Sequence, residues 1–430
     1  MRTIAIALFT TLVSALFVVS GTVGATAESS GSATSARTGV QSVDQVLVKK
    51  KRKKAKCKKA KKGKKAKRRK ACAKKPQPQP PVVYQPMMSA GGFHTCEIRT
   101  DASAWCWGSN NLGQLGIGNL VEMHSPVQEA THAQWRSISV GDTHTCGIKL
   151  DGSAWCWGSN AGGELGDGTT LNKMVPTRVA GSMSWTQISA GDADTCGIQL
   201  GGTVWCWGDN GAGQIGDGTF SDRWLPTKIS GTSLWRSIDL GTRSACAIRT
   251  DSTAWCWGAN SSGQLGDASI TDKNIPTKVT GGVIWQSITA GYAHSCGIAT
   301  NAIAWCWGSN ANGRLGDGST TNRLTPTKVA GAHSWRSLSA GSFHTCGIRV
   351  DDNLLCWGSN INGQLGDGTQ SEGHSPQGVA GLNGMSGISA GYRYNCAISV
   401  SGSRWCWGYN YFGQLGHGDT VQLLSPKALT

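Results

Sequence analysis

Two absences define the sequence before any motif is considered. Beyond residues 1–27 it has no apolar run long enough to span a membrane, which excludes a protein with several helical spans. Residues 49–75 contain no acidic side chain but hold 19 Lys or Arg in 27 positions. Because such a segment has no internal counter-charge, it repels itself, and we expect it to stay solvated instead of folding.

Residues 1–27 have the organisation of a secretory signal peptide. A basic residue at Arg2 is followed by an apolar stretch over residues 4–19 and by the small residues Ala25, Thr26 and Ala27. This order predicts cleavage near Glu28, followed by a small, polar spacer over residues 28–48. The alternative is an uncleaved membrane anchor, although the apolar stretch is short for a spanning helix.

The basic tail, residues 49–75, accounts for the charge of the whole chain. The formal net charge is +16, yet residues 76–430 hold 20 basic and 23 acidic side chains. Three interpretations remain open: a tether to a polyanionic surface polymer or to anionic lipid, a solvated spacer, or a nucleic-acid-binding arm. Export disfavours nucleic acid. The tail also contains Cys57 and Cys72, and a Pro-rich linker over residues 76–81 follows it.

Residues 82–430 consist of seven copies of a fifty-residue repeat without a single insertion. Each copy contributes two cysteines ten positions apart. The two columns are Cys96, Cys146, Cys196, Cys246, Cys296, Cys346 and Cys396, and Cys106, Cys156, Cys206, Cys256, Cys306, Cys356 and Cys406.

Each copy also offers four short strand-like segments separated by Gly, Asn and Asp. In the second copy these are HTCGIKL, AWCWG, VPTRV and SWTQISA. Four strands per unit, repeated seven times, predict an all-β fold, a seven-bladed β-propeller of four-stranded blades. Because the seventh copy stops before its last segment, we expect residues 87–91 to close the ring by pairing with C-terminal strands.

The hairpin between the first two segments explains the cysteines. With Asp151 at the centre of the turn, Cys146 and Cys156 face each other at a distance that suits a disulfide. Export favours the same pairing in all seven copies. Zinc is the alternative, but a ten-residue spacing does not suit it, and we predict neither a metal nor another cofactor.

The tryptophans flanking the second cysteine admit two interpretations, carbohydrate stacking or core packing. Trp105 and Trp107 share one sheet face because side chains alternate along a strand. Leu355 occupies one of these positions in another copy, and Met385 replaces a tryptophan of the fourth segment. Aliphatic substitutes keep volume but lose a stacking platform, so the columns favour core packing.

Together these residues form a recurring pattern, G-x-x-H-T-C-G-I-x-x-D-G-x-x-W-C-W-G-x-N-x-x-G-Q-L-G-D-G-T. It resembles the repeat of the regulator-of-chromosome-condensation superfamily, especially its cysteine-rich secreted bacterial members. The resemblance implies a seven-bladed propeller. The founding member is a guanine-nucleotide exchange factor that acts through a projecting β-wedge, and a secreted relative inhibits a β-lactamase with aromatic residues on one ring face.

No catalytic set stands out from the repeats, because nearly every polar residue has copies. His94, His144, His294 and His344 recur beside Cys and favour a structural hydrogen bond, while GQLGDG lacks the lysine of a P-loop. We therefore predict a binding protein and not an enzyme. The alternatives are an enzyme acting on wall polysaccharide, which a carboxylate pair in the channel would favour, and a nucleotide-exchange factor.

Specific binding is expected where the copies differ, in the turns. The residues after each leading glycine place aromatics in copies one, five, six and seven, which are adjacent in a closed ring. The predicted interface anchors are Phe93, Tyr292, Phe343, Tyr392 and Tyr394. The alternative is that they fill the mouth of the central channel. We expect the partner to be another protein.

Overall fold

A computed structural model describes residues 86–429, so the predicted signal peptide, spacer, basic tail and linker lie outside the described residues. The described chain forms 28 β-strands and a single 3-10 turn at Ala311–Gly313. None of its helical segments is long and apolar enough to cross a membrane.

The strands form seven four-stranded antiparallel sheets, each continuous in sequence. Blade 1 contains β1 (Met87–Ala90), β2 (His94–Ile98), β3 (Ala104–Gly108) and β4 (Met123–Gln128). Blade 2 contains β5 (Trp135–Val140), β6 (His144–Lys149), β7 (Ala154–Gly158) and β8 (Lys173–Arg178). Blade 3 contains β9 (Trp185–Ala190), β10 (Asp194–Gln199), β11 (Val204–Gly208) and β12 (Arg223–Lys228).

The remaining blades repeat this order. Blade 4 contains β13 (Trp235–Leu240), β14 (Ser244–Arg249), β15 (Ala254–Gly258) and β16 (Lys273–Lys278). Blade 5 contains β17 (Trp285–Ala290), β18 (His294–Ala299), β19 (Ala304–Gly308) and β20 (Arg323–Lys328). Blade 6 contains β21 (Trp335–Ala340), β22 (His344–Arg349), β23 (Leu354–Gly358) and β24 (Gly373–Gly378). Blade 7 contains β25 (Met385–Ala390), β26 (Tyr394–Ser399), β27 (Arg404–Gly408) and β28 (Leu423–Ala428). The seven-bladed propeller predicted from the repeats is confirmed.

The prediction that the N-terminal strand pairs with C-terminal strands is wrong. β1 pairs with β2 inside blade 1, in the register Ser89 opposite Cys96, and blade 7 is complete without it. The reason is local: three residues join β1 to β2, so the tight turn makes them antiparallel neighbours. The fourth segment of each sequence copy is therefore the innermost strand of the following blade. The seventh copy lacks this segment because the following blade is blade 1, whose innermost strand is β1.

Blades 1 and 7 close the ring by side-by-side contacts instead of a shared sheet. The Tyr392 N–H donates to the Gly91 carbonyl at 3.1 Å, the same bond that joins Asp142 to Gly191 between blades 2 and 3. The seam, which is the junction of blades 1 and 7, also carries an ion pair of its own between Glu97 and Arg404.

The predicted disulfides are present in all seven hairpins. In blade 2, Cys146 lies directly opposite Cys156, with Cα atoms 4.1 Å apart. The other six pairs repeat this geometry at 4.0 to 4.2 Å. Each bridge closes a ten-residue hairpin, which stabilises the blade by about 2–3 kcal/mol if chain entropy dominates. Cys57 and Cys72 lie outside the described residues.

The second tryptophan of each hairpin locks neighbouring blades together. Trp257 is fully buried, and its indole N–H donates to the Gln214 carbonyl of blade 3 at 2.9 Å. Gly216 lies against the same ring, where a Cβ would fall 2.6 Å from the indole nitrogen. The Gly-rich segment of one blade thus forms the pocket, or socket, that holds the tryptophan of the next blade. This packing agrees with the prediction that these tryptophans belong to the core.

The first tryptophan of each hairpin is only half-buried. Lys149 stacks over Trp155 with its Nζ 3.5 Å from the ring centroid, and Arg249 covers Trp255 at the same distance. Gly147 lies opposite Trp155, and a Cβ at Gly147 would clash with the ring of Trp135, whose Cε3 would lie 2.7 Å away. Cations cover the indoles of Trp105, Trp155 and Trp255, which leaves no open platform for a sugar at these three positions.

Candidate functional site

The turns that hold the predicted anchors and the turns that follow the third strand of each blade meet at one end of the ring. Because the strands are antiparallel, the loops joining the first to the second strand and the third to the fourth strand of every blade share an end, which we call the upper end. The hairpin turns between the second and third strands lie at the lower end. The upper end therefore gathers all the predicted anchor positions, in or beside two sets of turns that differ between copies.

Seven aromatic rings form an unbroken series across the upper end. From blade 5 to blade 1, Tyr292 lies 5.7 Å from Phe343, Phe343 lies 5.3 Å from Tyr392, and Tyr392 lies 5.4 Å from Phe93, all between ring centroids. This contact order is the one that a closed ring predicts for adjacent copies. We call these four rings, together with those of Phe412, Tyr411 and Tyr409, the aromatic surface.

Sequence reasoning missed three of its members, because only the first-to-second-strand loops were assigned as anchors. Phe412 lies 5.3 Å from Phe93, Tyr411 lies 5.0 Å from Phe412, and Tyr409 lies 6.4 Å from Tyr411. Tyr411 is 69% exposed. The available clue was the pair YF in the seventh copy, since no other copy has an aromatic residue at those two positions.

Tyr394 does not join the aromatic surface. It is fully buried, its hydroxyl donates to the His94 carbonyl at 2.6 Å, and the Gly91 N–H donates to it at 3.1 Å. Burial raises the pKa of this hydroxyl well above its ordinary range. Tyr394 occupies the position that a histidine holds in other copies, and its hydrogen bonds join blade 7 to blade 1. These contacts indicate that its side chain helps to close the ring.

Two arginines border the aromatic surface. The Arg393 guanidinium lies 5.0 Å from the Phe343 centroid and 5.1 Å from that of Tyr392. Arg314 lies 5.2 Å from Phe343, and its side chain donates to the Ser342 carbonyl at 3.1 Å. Burial lowers the pKa of Arg314 to about 10, so it stays charged at neutral pH. These cations stabilise the aromatic side chains in place.

The opposite side of the upper end is acidic. Asp142 in blade 2 and Asp192 in blade 3 share a hydrogen bond at the mouth of the channel. Burial, reinforced by the charge of Asp192, raises the pKa of Asp142 to about 7, and burial also raises the pKa of Asp192. Asp194 is fully buried beside them, and burial raises its pKa well above the ordinary value. The upper end is therefore aromatic and basic on one side and acidic on the other.

The buried carboxyl group predicts a pH effect on stability. Since the folded-state pKa of Asp142 is raised above the ordinary 3.8, the group favours folding when protonated, and this contribution is lost as the pH rises toward about 7. The variant Asp142→Asn lacks that loss. We expect it to gain about 1–2 kcal/mol of unfolding free energy relative to the wild type between pH 4 and pH 7.

Urea unfolding of both proteins across this pH range measures the effect. Glu122→Gln, which removes an exposed carboxylate from blade 1, controls for the loss of a charge. A stability difference between Asp142→Asn and wild type that stays constant with pH would contradict the assignment.

The upper mouth of the central channel has little room for a substrate, although a larger cavity of about 490 Å³ lies along the innermost strands of blades 3–6. Glycine and alanine backbones from all seven blades surround a cavity of about 80 Å³, well below the 300–1,000 Å³ typical of ligand pockets. The pair Asp142 and Asp192 lies at its mouth and is not shared by the other copies, but it faces no pocket of substrate size. Within residues 86–429 no three His, Cys, Asp or Glu side chains are grouped to hold a metal ion.

The recurring histidines make hydrogen bonds between blades. His94 Nε2 lies 2.7 Å from Thr145 Oγ1, and His144 Nε2 lies 2.8 Å from Thr195 Oγ1. Burial lowers the pKa of His94 to about 3, so the ring is neutral at physiological pH. The structural bond predicted for this column is present, although its partner belongs to the next blade and not to the same loop.

Comparison with known proteins agrees with this architecture. The model of the RCC1-like domain matches residues 181–430, and that of the regulator of chromosome condensation (RCC1) repeat matches residues 101–148 and 151–198, with a second repeat model at residues 135–164. The comparison with curated proteins gives no match.

Three solved structures illustrate the shared fold. Human WBSCR16 is 19% identical, with 76% of this chain and 94% of that chain covered and a TM-score of 0.70. Prp20p of Saccharomyces cerevisiae, described with its binding to Gsp1p and histones, is 20% identical over 76% and 85% of the two chains, with a TM-score of 0.68. The ectodomain of the Arabidopsis thaliana receptor kinase ACR4 is 21% identical over 79% and 98%, with a TM-score of 0.50. The chain belongs to the regulator of chromosome condensation family, whose RCC1-like repeats form its seven blades.

Proposed function

We propose that this protein is a binding module that grips another protein with the aromatic surface of its upper end. The observation that carries the proposal is the unbroken series of ring contacts from Tyr292 to Tyr409, which spans loops of four adjacent blades. Aromatic side chains and arginines are the residues that most often dominate protein–protein binding energy. Here they occur together, in turns of the upper end that differ between the repeats.

The ring keeps these side chains in fixed positions. Loops on a rigid scaffold lose little freedom on binding, which reduces the entropic cost of an interface. The seven disulfides and the bonds between blades hold the loop ends, and the two arginines cover one side of the rings.

The cysteines and the N-terminal sequence support a location outside the cytoplasm. Seven bridged hairpins are typical of proteins that fold in an oxidising compartment. Residues 1–27 supply the matching signal peptide, and residues 49–75 would tether the exported protein to a polyanionic surface. An inhibitor-like role fits this arrangement, because an inhibitor needs a fixed interface and no chemistry.

Two other functions receive less support. An enzyme acting on polysaccharide needs a cleft for sugar residues, and the cavity of about 80 Å³ beside the carboxyl pair does not offer one. A nucleotide-exchange factor of the founding type needs a projecting wedge, and the uniform fifty-residue period leaves no loop long enough to form it.

Serine substitutions within the aromatic surface test the proposal. We expect Phe343→Ser and Tyr392→Ser each to weaken capture of the partner about tenfold to a hundredfold, since each removes a central anchor. The measurement is affinity capture from the extracellular fraction of the source, with bound proteins quantified by mass spectrometry against added wild-type protein as competitor.

Val400→Ser is the matched control, because Val400 is 67% exposed and lies in a hairpin turn at the lower end. The control should retain full capture. Equal capture by all three variants would exclude the aromatic surface as the interface.

The tail is tested separately by deleting residues 49–75. A tether to a polyanion predicts retention on the cell surface that falls steeply with salt and disappears with the deletion. Retention that is sensitive to salt but unchanged by the deletion would exclude the tether and leave the proposed interface untouched.

A further inference from the structure

The outer rim of the ring is uneven in a way that neither the fold nor the aromatic surface explains. The outermost strands of blades 2–5, which are β8, β12, β16 and β20, carry eight Lys or Arg and no acid. In the corresponding strands of blades 1, 6 and 7, which are β4, β24 and β28, Lys427 is the single Lys or Arg. All seven are exposed edge strands with the same structural task, so the difference needs another cause.

Large apolar side chains protrude from the upper half of this rim. Trp224 and Leu225 in β12 are 52% and 51% exposed, and the loop before them holds Phe220 at 56%. Exposed apolar residues recur beside them in blades 2, 4 and 5: Leu171, Met174, Val175, Ile270, Ile275 and Leu324. Trp224 lies against Gly163 and Leu225 against Gly168 of blade 2, so the side chains of adjacent blades form one row. We call it the outer apolar row.

A basic row runs below the outer apolar row. Its members are Arg178, Lys228, Lys278 and Lys328, the last residue of each strand, and all four are exposed. The first basic residue of each strand is neutralised, as where Arg223 pairs with Asp217 at 2.6 Å. Among residues 86–429, by contrast, no carboxylate lies within ion-pairing distance of the four members of the basic row.

The spacing of the two rows suits one kind of surface. Leu225 and Lys228 are three residues apart on one strand, which places the two rows roughly 10 Å from each other. Apolar side chains on one level, with exposed cations about one headgroup layer away from them, are the arrangement by which proteins lie on an anionic bilayer. Trp is especially suited to this interfacial depth.

The edge strands themselves disfavour a protein occupant. Each has a proline in its fourth position, as at Pro226 in β12 and Pro276 in β16. Proline lacks the N–H that an added strand would require, so neither a second copy nor a peptide strand can continue these sheets. What remains exposed is side-chain chemistry, apolar above and cationic below.

We propose that the rim of blades 2–5 docks on a lipid bilayer that contains anionic headgroups, with the outer apolar row in the acyl boundary and the basic row against phosphate. This site is distinct from the aromatic surface, which occupies blades 5–7 and 1, and it does not depend on the proposed function. It would hold the ring on a membrane with its protein-binding side free.

Vesicle flotation of the full chain tests the proposal. The probes are vesicles of phosphatidylcholine alone and of phosphatidylcholine with about one third phosphatidylglycerol. We expect the anionic vesicles to bind the chain and Trp224→Ser/Leu225→Ser to lower that partition about tenfold or more. Lys228→Gln/Lys278→Gln should lower binding to anionic vesicles and leave binding to neutral vesicles unchanged, and Val400→Ser should match the wild type.

A second measurement separates the rim from the basic tail. Brominated lipids quench tryptophans that reach the acyl region, so they should quench the wild type and quench Trp224→Phe much less. Equal partition of wild type and Trp224→Ser/Leu225→Ser in 1 M NaCl, where the charge of the tail is screened, would overturn the proposal. So would binding without quenching, which would mark the rim as a site for soluble polyanions or for a protein.

Discussion

Replacing Trp257 with alanine is expected to lower the free energy of unfolding by about 3–5 kcal/mol, the range found for large buried aromatics. The indole is fully buried between blades 3 and 4, in contact with the Trp235 ring at 6.0 Å between centroids. Its N–H satisfies the Gln214 carbonyl. Alanine therefore creates a cavity and leaves a buried carbonyl without its donor.

Guanidinium unfolding followed by near-UV circular dichroism measures this loss. Trp224→Ala is the matched control, because Trp224 is 52% exposed and donates no hydrogen bond to a neighbouring blade. We expect the control to change stability by less than about 1 kcal/mol. Equal losses for the two variants would show that the socket between blades does not stabilise the ring.

Replacing Glu97 with alanine is expected to destabilise the protein by about 2 kcal/mol, because it removes charge-assisted hydrogen bonds to two arginines that remain partly exposed to solvent. Glu97 is 1% exposed and accepts from Arg99 at 2.7 Å and from Arg404 at 2.6 Å. Other hairpins have Gly or Ala at the first position and Ala, Val or Leu at the place of Arg404. The ion pair is thus peculiar to the seam.

A double-mutant cycle with Arg404→Ala isolates the pair. We expect a coupling energy of about 1–3 kcal/mol and faster hydrogen exchange in β1 and β28 of the single variants. Asp352→Ala, which breaks the exposed pair with Arg336, should cost under about 1 kcal/mol. Additive effects of Glu97→Ala and Arg404→Ala would mean that the pair does not hold the seam.

The sequence predicted the features that depend on local register. A hairpin with two cysteines ten positions apart leaves little freedom, so the pairing of Cys146 with Cys156 followed from the cysteine spacing. Seven identical periods likewise predicted the seven blades. The grouping of strands into blades did not follow, since a repeat can be divided before or after its fourth segment without changing its period.

Contacts between blades were harder to predict because they join residues about fifty positions apart. Tyr394 has the sequence context of a surface aromatic, yet its hydroxyl lies at the buried seam. Asp142 and Asp192 look unrelated in sequence and share a hydrogen bond in the ring. The other four anchors, Phe93, Tyr292, Phe343 and Tyr392, came together because adjacent copies place equivalent loops side by side.

Site-specific photo-crosslinking tests the proposed interface most directly. A benzoylphenylalanine placed at position 392 would lie within the aromatic surface, and the same group at position 400 would lie at the lower end. After irradiation in the extracellular fraction of the source, we predict one discrete protein adduct from position 392 and none from position 400. No adduct at position 392, or the same adduct from both positions, would contradict the assignment of the aromatic surface as a protein-binding interface.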